Sequence, residues 1–193
     1  MTAGGPTITK TDAAILGMLT FAPMSGYDMK KFSEQSLAHF WHESYGNLYP
    51  RLRKLEAAGL VGKRRERRAR APDAIVYRIT AAGRRRFRAW VHEDPEPEQV
   101  RSDFMLKIFF GVEAGLDRCA DLIRGYRAAQ EAKRATYAGI AQMLRDSLSD
   151  RPAAVYWFMS LRRGQLLTDA RLQWCNECAA LLSRASDSES GYE

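Results

Sequence analysis

The segment Glu43–Leu60 is ESYGNLYPRLRKLEAAGL, and it decides the fold prediction. Its leucines recur every three or four residues, which is the period of an amphipathic helix; they are Leu48, Leu52 and Leu55. At about 100° per residue their side chains form one stripe, and small and cationic residues lie opposite. The segment therefore predicts a helix over about Ser44–Ala58, with one buried face and one face available for binding.

Pro50 lies inside that predicted helix. An interior proline loses one backbone hydrogen bond, and its ring crowds the carbonyl group of the residue four positions earlier. Here that residue is Gly46, the least hindered choice. The two residues also keep the outward side of the helix slim, which suits a helix that enters a DNA major groove about 12 Å wide.

The segment is preceded by two further predicted helices. Lys10–Phe21 carries an apolar stripe, with Thr11 as its candidate N-cap. The chain is then broken around Pro23, and the second helix is predicted from Gly26 to about Phe40. Its expected buried residues are Tyr27, Met29 or the stem of Lys30, Phe32 and Leu37.

A β-hairpin is predicted after the segment. Leu60–Val61 and Ile75–Ile79 are short β-prone runs, separated by the polar stretch KRRERRARAPD. This pattern predicts two short strands joined by a basic loop. Thr80 is the expected N-cap of a return helix that carries Phe87, Trp90 and Val91.

The second half of the chain is predicted to be helical throughout. The acidic, proline-containing stretch DPEPEQ breaks the pattern, and helices are then expected over about Ser102–Phe110, Gly115–Ser149 and Pro152–Ser183. We therefore divide the chain into a DNA-binding domain (1–93), a linker (94–101), a helical domain (102–184) whose long predicted helix suggests a partner surface, and a disordered tail (185–193). The predicted fold is mainly α, an N-terminal winged helix-turn-helix with a two-stranded hairpin wing joined to an all-α C-terminal domain.

The charge distribution favours a polyanionic partner for the first half. The formal net charge of +7 combines +9 for residues 1–93 with −2 for the rest. A solvated surface or a contact with an anionic membrane is also compatible with this charge. No apolar run approaches the roughly 18–20 residues of a spanning helix, and the N-terminus lacks the pattern of an export signal. We therefore expect a cytoplasmic protein with no membrane partner.

The third helix and the wing contain the candidate DNA-binding residues. Asn47 and Arg53 can read base edges, Lys54 suits phosphates, and Tyr49 can contact a phosphate or a sugar. The full predicted set is Ser44, Tyr45, Gly46, Asn47, Tyr49, Pro50, Arg53 and Lys54 in the helix, and Lys63, Arg64, Arg65, Arg67, Arg68 and Arg70 in the wing. A solvated helix face and a basic loop without a partner are the alternatives.

The same stretches resemble the PadR family of bacterial transcriptional regulators. The matching pieces are ILGML, SGYDMKK, YGNLYPRLRKLEAAGLV and VYRITAAGRRRFRAW, followed more diffusely by DFMLKIFFG and YWFMSLRRGQLLTDARLQWCNECAALL. The resemblance covers about residues 12–184. It implies a DNA-binding regulator, usually a repressor, that dimerises through its C-terminal helices and reads an inverted repeat. It also implies that Tyr49, its neighbours and the wing cations contact DNA, although this wing is richer in arginine than the family pattern requires.

Some PadR relatives respond to phenolic acids or to flat apolar compounds that stack between tryptophans. By that resemblance the candidate effector-binding residues are Trp41, Trp90, Trp157 and Trp174. Aromatic residues at helical spacing more often fill a core or a dimer seam. The sequence names no effector.

Other function classes have weaker support. The common catalytic motifs are missing from the sequence, so no enzyme activity and no cofactor are expected. His39 and His42 do not have the spacing of a zincin, and the Cys175–Cys178 pair has no second C-x-x-C, so no metal site is expected. A non-specific nucleic-acid-binding or scaffolding protein remains the alternative function.

Overall fold

The computed structural model describes residues 7–37, 40–41, 47–68, 71–148 and 150–190. The chain forms two compact units, which divide between Pro97 and Glu98. The first unit contains, in chain order, α1 (Lys10–Phe21), β1 (Met24–Ser25), α2 (Gly26–Ser36), α3 (Leu48–Ala57), β2 (Val61–Arg68), β3 (Ala71–Ile79) and α4 (Ala81–Val91). The second contains α5 (Asp103–Phe109), a short 3-10 helix (Gly111–Glu113), α6 (Leu116–Leu148) and α7 (Ala154–Ser190). The predicted mainly α architecture, with a winged helix-turn-helix before an all-α region, is confirmed.

The first two helices both begin with a capping box. Thr9 caps α1 and exchanges hydrogen bonds with Asp12, so the prediction of Thr11 as the cap was wrong. Ser25 and Asp28 form the same arrangement at the start of α2. Each box satisfies backbone N–H groups that the first turn would otherwise leave unpaired.

Helix α2 is shorter than predicted, and one of its predicted core residues is exposed. It ends at Ser36, with Leu37 as the C-cap, and residues 38–39 lie outside the described part. Met29 is fully buried, while Phe32 and Leu37 pack at the edge of the core. Tyr27, predicted to be buried, is 71% exposed. The inner stripe runs through Met29 and Ser33, four residues apart, and Tyr27 lies off it.

Pro50 is the third residue of α3, not an interior one. The helix begins at Leu48, four residues later than predicted, and residues 42–46 are outside the described ranges. The N–H groups of a first turn have no intrahelical acceptor, so a proline there removes no helical hydrogen bond. At the other end, Gly59 adopts the left-handed conformation (φ 69°), and the N–H of Leu60 donates to the carbonyl of Leu55 at 2.9 Å.

The sheet has three antiparallel strands in the order β1-β3-β2. The basic segment predicted as a loop is largely strand, because β2 extends to Arg68 and pairs with β3 from Val61↔Ile79 outward. Pairing satisfies the backbone, and the charged side chains project from the two faces. The two-residue strand β1, predicted only as a break, pairs Met24 with Tyr77.

Three helices and the base of the sheet enclose the core of the first unit. The leucines of α3 pack there against α1 residues such as Ile15, Leu16 and Leu19. Val61, Tyr77 and Ile79 close the core from the sheet side. Helix α4 begins at its predicted cap, Thr80, and adds Phe87 and Trp90 at the edge of the core.

In the second unit the two long helices α6 and α7 pack side by side as an antiparallel pair. Arg127 in the first half of α6 hydrogen-bonds to Asn176 in α7. Further along, the ring of Tyr137 packs against Gly164, where a Cβ would come within 2.8 Å of it. Tyr137, Ala141, Leu144 and Leu161 form the buried cluster of this unit.

Helix α7 continues to Ser190, beyond the predicted end at Ser183 and into the predicted disordered tail. The sequence between Gly164 and Ser190 contains no glycine or proline, so the helical hydrogen bonds continue without a break. None of the described helices is both long enough and apolar enough to cross a membrane.

Candidate nucleic-acid interface

Helix α3 has the two faces that its sequence predicts. Leu48, Leu52 and Leu55 are buried, with at most 6% of any side chain exposed. The remaining predicted binding residues that the structure describes are exposed; they are Asn47, Tyr49, Pro50, Arg53 and Lys54. A slim, cationic face is thus presented to solvent by a helix whose other side is fixed in the core.

Some predicted residues lie outside what the structure describes. These are Ser44, Tyr45 and Gly46, which precede α3 in the sequence, and Arg70, which falls in the sequence between β2 and β3. Arg67 and Arg68 belong to strand β2, but their side chains are not among those described. The positions of these groups relative to α3 stay predictions.

The described wing cations divide between the two faces of the hairpin. In the strand register Lys63 lies opposite Tyr77, and Arg65 lies opposite Ile75. Their side chains are therefore on the same face of the hairpin as Val61 and Ile79, which pack in the core. Arg64 and Glu66 are on the opposite face and form an ion pair at 2.6 Å. The wing therefore presents positive charge on both sides, partly balanced by its own glutamate.

An ion pair joins the wing to the end of α3. The Lys63 ammonium lies 2.8 Å from Oε2 of Glu56. The hydrogen bond and the charge of Glu56 raise the pKa of Lys63 above its usual value, so Lys63 stays cationic at neutral pH. Burial raises the pKa of neighbouring Tyr77, whose phenol therefore stays neutral.

Two contacts of α3 escaped the sequence analysis because they join residues far apart in the chain. Arg51 lies 3.5 Å from the Asp12 carboxylate in α1. The ring of Tyr49 lies against Gly26, the first residue of α2. In the sequence, Arg51 is recognisable only as a residue of the predicted helix, and Gly26 only as the glycine of SGYDMKK. Neither pattern indicates which distant residue is contacted.

The four candidate effector tryptophans have different surroundings. Trp90 stacks on Phe87, with ring centroids 6.0 Å apart. Trp41 is half-buried, and Trp157 packs beside the core of the second unit. Trp157 and Trp174 lie 17 residues apart on α7, which corresponds to about 25 Å along a helix. They therefore do not share one site within a single chain.

Trp174 belongs to a group of three aromatic residues in the second unit. Phe104 stacks on Tyr126, with ring centroids 4.2 Å apart and planes 8° apart. Trp174 meets both rings edge-on, at 5.9 and 6.1 Å. All three side chains are partly exposed, and we refer to them as the aromatic trio.

The cysteines are poor candidates for redox or metal chemistry. Burial raises the pKa of Cys175 and Cys178, so both thiols are protonated and weakly nucleophilic at neutral pH. No group of three His, Cys, Asp or Glu side chains suited to a metal ion occurs among the described residues. His39 and His42 lie outside them.

Two family models match the chain, one on each unit. The transcriptional regulator PadR-like family matches residues 15–89, and the virulence activator alpha C-terminal family matches residues 100–183. The negative transcriptional regulator PadR of Bacillus subtilis is 30% identical over 121 residues, which are 62% of this chain and 66% of that protein. The matched region thus spans about two thirds of that relative.

Solved structures share the fold over nearly the whole chain. Bacillus subtilis PadR in complex with operator DNA has a TM-score of 0.78 at 24% identity, covering 90% of this chain and 99% of that one. The same protein with p-coumaric acid has a TM-score of 0.71 at 24% identity, covering 89% and 98%. A PadR-like transcriptional regulator from Bacillus cereus has a TM-score of 0.77 at 26% identity, covering 91% and 99%. With the matched models, motifs and winged helix, these relatives place the chain in the PadR-like family of transcriptional regulators.

Proposed function

We propose that the protein is a homodimeric repressor that binds an inverted-repeat operator in the cytoplasm. The observation that carries the proposal is the exposed face of α3 beside a cationic hairpin. A helix of this width enters the major groove, while a basic wing follows the phosphate backbone or the minor groove. The relatives named above include a negative regulator and a complex with operator DNA.

The α3 residues divide the work of recognition. Asn47 and Arg53 carry planar groups that can form paired hydrogen bonds with base edges. Lys54 and the wing cations Lys63, Arg64 and Arg65 neutralise phosphates, which gives affinity without sequence preference. The predicted wing residues Arg67, Arg68 and Arg70 add to that second role.

In this proposal the interface between the two copies lies in the second unit. Helix α5 and the residue after it expose Leu106, Phe109 and Phe110 to solvent, and α7 exposes Tyr156 and Met159. Phe109 alone is 80% exposed. Apolar side chains of this size in one small domain favour burial against a second copy. Two-fold symmetry would place two α3 helices in half-sites about 10 base pairs apart.

A small aromatic effector is part of the proposal. The relative from Bacillus subtilis has been solved with p-coumaric acid. Of the four candidate tryptophans, Trp174 has the most suitable surroundings, because the partly exposed aromatic trio offers faces and edges on which a flat ring can stack. Trp41, Trp90 and Trp157 remain candidates by family resemblance alone.

The first experiment is a titration of the full-length protein against its own promoter duplex and a scrambled duplex at two salt concentrations. Tight binding that prefers the promoter is the expected result. Equal, salt-sensitive binding to both would contradict sequence-specific recognition and favour the alternative of a non-specific nucleic-acid-binding protein. Absence of binding to either would contradict DNA recognition by the effector-free protein.

The dimer is tested separately with a fragment that ends at Pro97. We expect the full-length protein to sediment as a dimer and the fragment to be a monomer that binds the promoter weakly. A fragment that remained a tight dimer would contradict the role given to the second unit.

A further inference from the structure

The inference concerns the contact between Tyr49 and Gly26. Tyr49 is the second residue of α3, and its side chain is 56% exposed. Gly26 is the buried first residue of α2. A Cβ on Gly26 would lie 2.8 Å from Oη of Tyr49 and 2.9 Å from Cε1 and Cζ. The tyrosine ring thus occupies the space that any side chain at position 26 would need.

The backbone does not require glycine here. The glycines with positive φ in the described part of the chain are Gly59 and Gly115, so Gly26 has a conformation that alanine also adopts. At the start of a helix, alanine has a higher helix propensity than glycine. The cost of a methyl group at position 26 therefore arises from its collision with Tyr49.

The α2 side of the contact is the more firmly fixed one. Ser25 precedes Gly26 and is held twice over, since its side chain and backbone bond to Asp28 at 2.6 and 3.0 Å and its strand pairs with Val76. Tyr49 instead lies in the first turn of α3 and faces solvent on one side. An added methyl group would therefore be relieved by movement of Tyr49 or of α3.

We infer that Gly26 is a positioning residue for DNA recognition. Because it has no side chain, the ring of Tyr49 packs directly against the start of α2, and this contact fixes the position of α3. The inference rests on the proposed function. Arg53 lies one turn after Tyr49 on the same helix. A hydrogen bond to a base edge tolerates only a few tenths of an ångström, with donor and acceptor about 2.7–3.2 Å apart. A displaced first turn would therefore weaken base reading while leaving wing contacts to phosphate in place.

The test is a double-mutant cycle in the full-length protein with G26A, Y49A and the combined variant. Each is titrated against the promoter duplex and the scrambled duplex, and each is unfolded in urea. G26A should lower promoter affinity about ten-fold, because α3 must return to its wild-type position, against the added methyl group, before its side chains can contact base edges. Affinity for the scrambled duplex should fall less than affinity for the promoter, because only the backbone contacts of α3 are disturbed there and the wing contacts to phosphate remain. In the Y49A background, G26A should change promoter affinity less than about two-fold, because the collision is gone.

G125A is the matched control, since a Cβ on Gly125 of α6 meets no atom within 4 Å. It should leave both affinities unchanged. Wild-type affinity of G26A for the promoter would overturn the inference, and so would an equal loss of affinity from G26A in the wild-type and Y49A backgrounds. Failure of the proposed function differs, because the wild-type protein would then bind both duplexes equally. The urea titrations measure the contact between Tyr49 and Gly26 in the absence of DNA. If G26A lowered the free energy of unfolding equally in the wild-type and Y49A backgrounds, the inference would also be overturned.

Discussion

Arg51 of α3 places a guanidinium nitrogen 3.5 Å from Oδ2 of Asp12, a residue 39 positions earlier in α1. The same carboxylate oxygen accepts the N–H of Thr9 at 2.9 Å and so completes the cap of α1. Asp12 is buried, and within the described part of the chain its Oδ1 has no hydrogen-bond partner. Arg51 thus compensates a buried negative charge and ties α3 to the start of α1.

Replacing Arg51 by methionine should destabilise the protein. Methionine keeps an apolar stem but leaves the Asp12 carboxylate without its cation, and loss of a partner to a buried polar group costs about 1–3 kcal/mol. The free energy of unfolding in urea measures the effect. Arg53→Met is the matched control, because Arg53 is exposed on the same helix and should leave stability unchanged. Equal stability of the two variants would contradict this role of the ion pair.

Arg53→Ala should reduce affinity for the promoter by about 1–3 kcal/mol, the usual value of a base contact made through two hydrogen bonds. The loss should be confined to duplexes that keep the base pair it contacts, as measured with a set of single-site promoter variants. Lys54→Ala is the comparison, since loss of a phosphate contact weakens all duplexes alike. Uniform weakening by Arg53→Ala would mean that this face of α3 does not read bases.

Changing Arg64 and Arg65 together to glutamine should weaken binding to every duplex and flatten its salt dependence. Each lost phosphate contact lowers the slope of log affinity against log salt by about 0.9. The slope should fall by less than the loss of two full phosphate contacts would predict, because Arg64 already forms an ion pair with Glu66. Arg118→Gln with Arg134→Gln on α6 removes the same charge from the other unit. If that pair flattened the slope equally, net charge and not the wing would explain the effect.

Thr168→Val should stabilise the second unit. Thr168 is fully buried, and among the described residues its hydroxyl has no hydrogen-bond partner. Valine has the same shape and removes an unpaired polar group, so we expect a gain of about 1 kcal/mol in unfolding free energy. Thr136→Val is the control, because the exposed Thr136 hydroxyl donates to the carbonyl of Ala132 at 3.1 Å. A loss of stability in Thr168→Val would show that its hydroxyl is paired in solution.

Features set by local periodicity were predictable from the sequence. The bounds of α1 and the leucine stripe of α3 follow from apolar residues at helical spacing. Thr80 was recognisable as a cap because a hydroxyl residue before a helical run is a local signal. The cap of α1 was misplaced by two residues because Thr9 and Thr11 offer the same chemistry, and only the reciprocal bond from Asp12 distinguishes them.

Features set by pairing over a distance were not predictable. Strand β1 has two residues and exists because Tyr77 and Val76 of β3 lie beside it. The outer part of β2 is lysine- and arginine-rich, a composition with low strand propensity, and it is extended because β3 provides hydrogen-bond partners. The contacts Arg51–Asp12 and Tyr49–Gly26 likewise depend on tertiary structure.

The close fit of Tyr137 against Gly164 restricts how the second unit can change shape. Sliding α7 along α6 by one turn would bring Ser160 or Thr168 opposite the tyrosine, and either side chain would need the space that the ring fills. A one-turn slip of α7 along α6 is therefore opposed by the Tyr137 ring. A change of shape that keeps the Tyr137–Gly164 contact would move the two helices together, as one rigid pair.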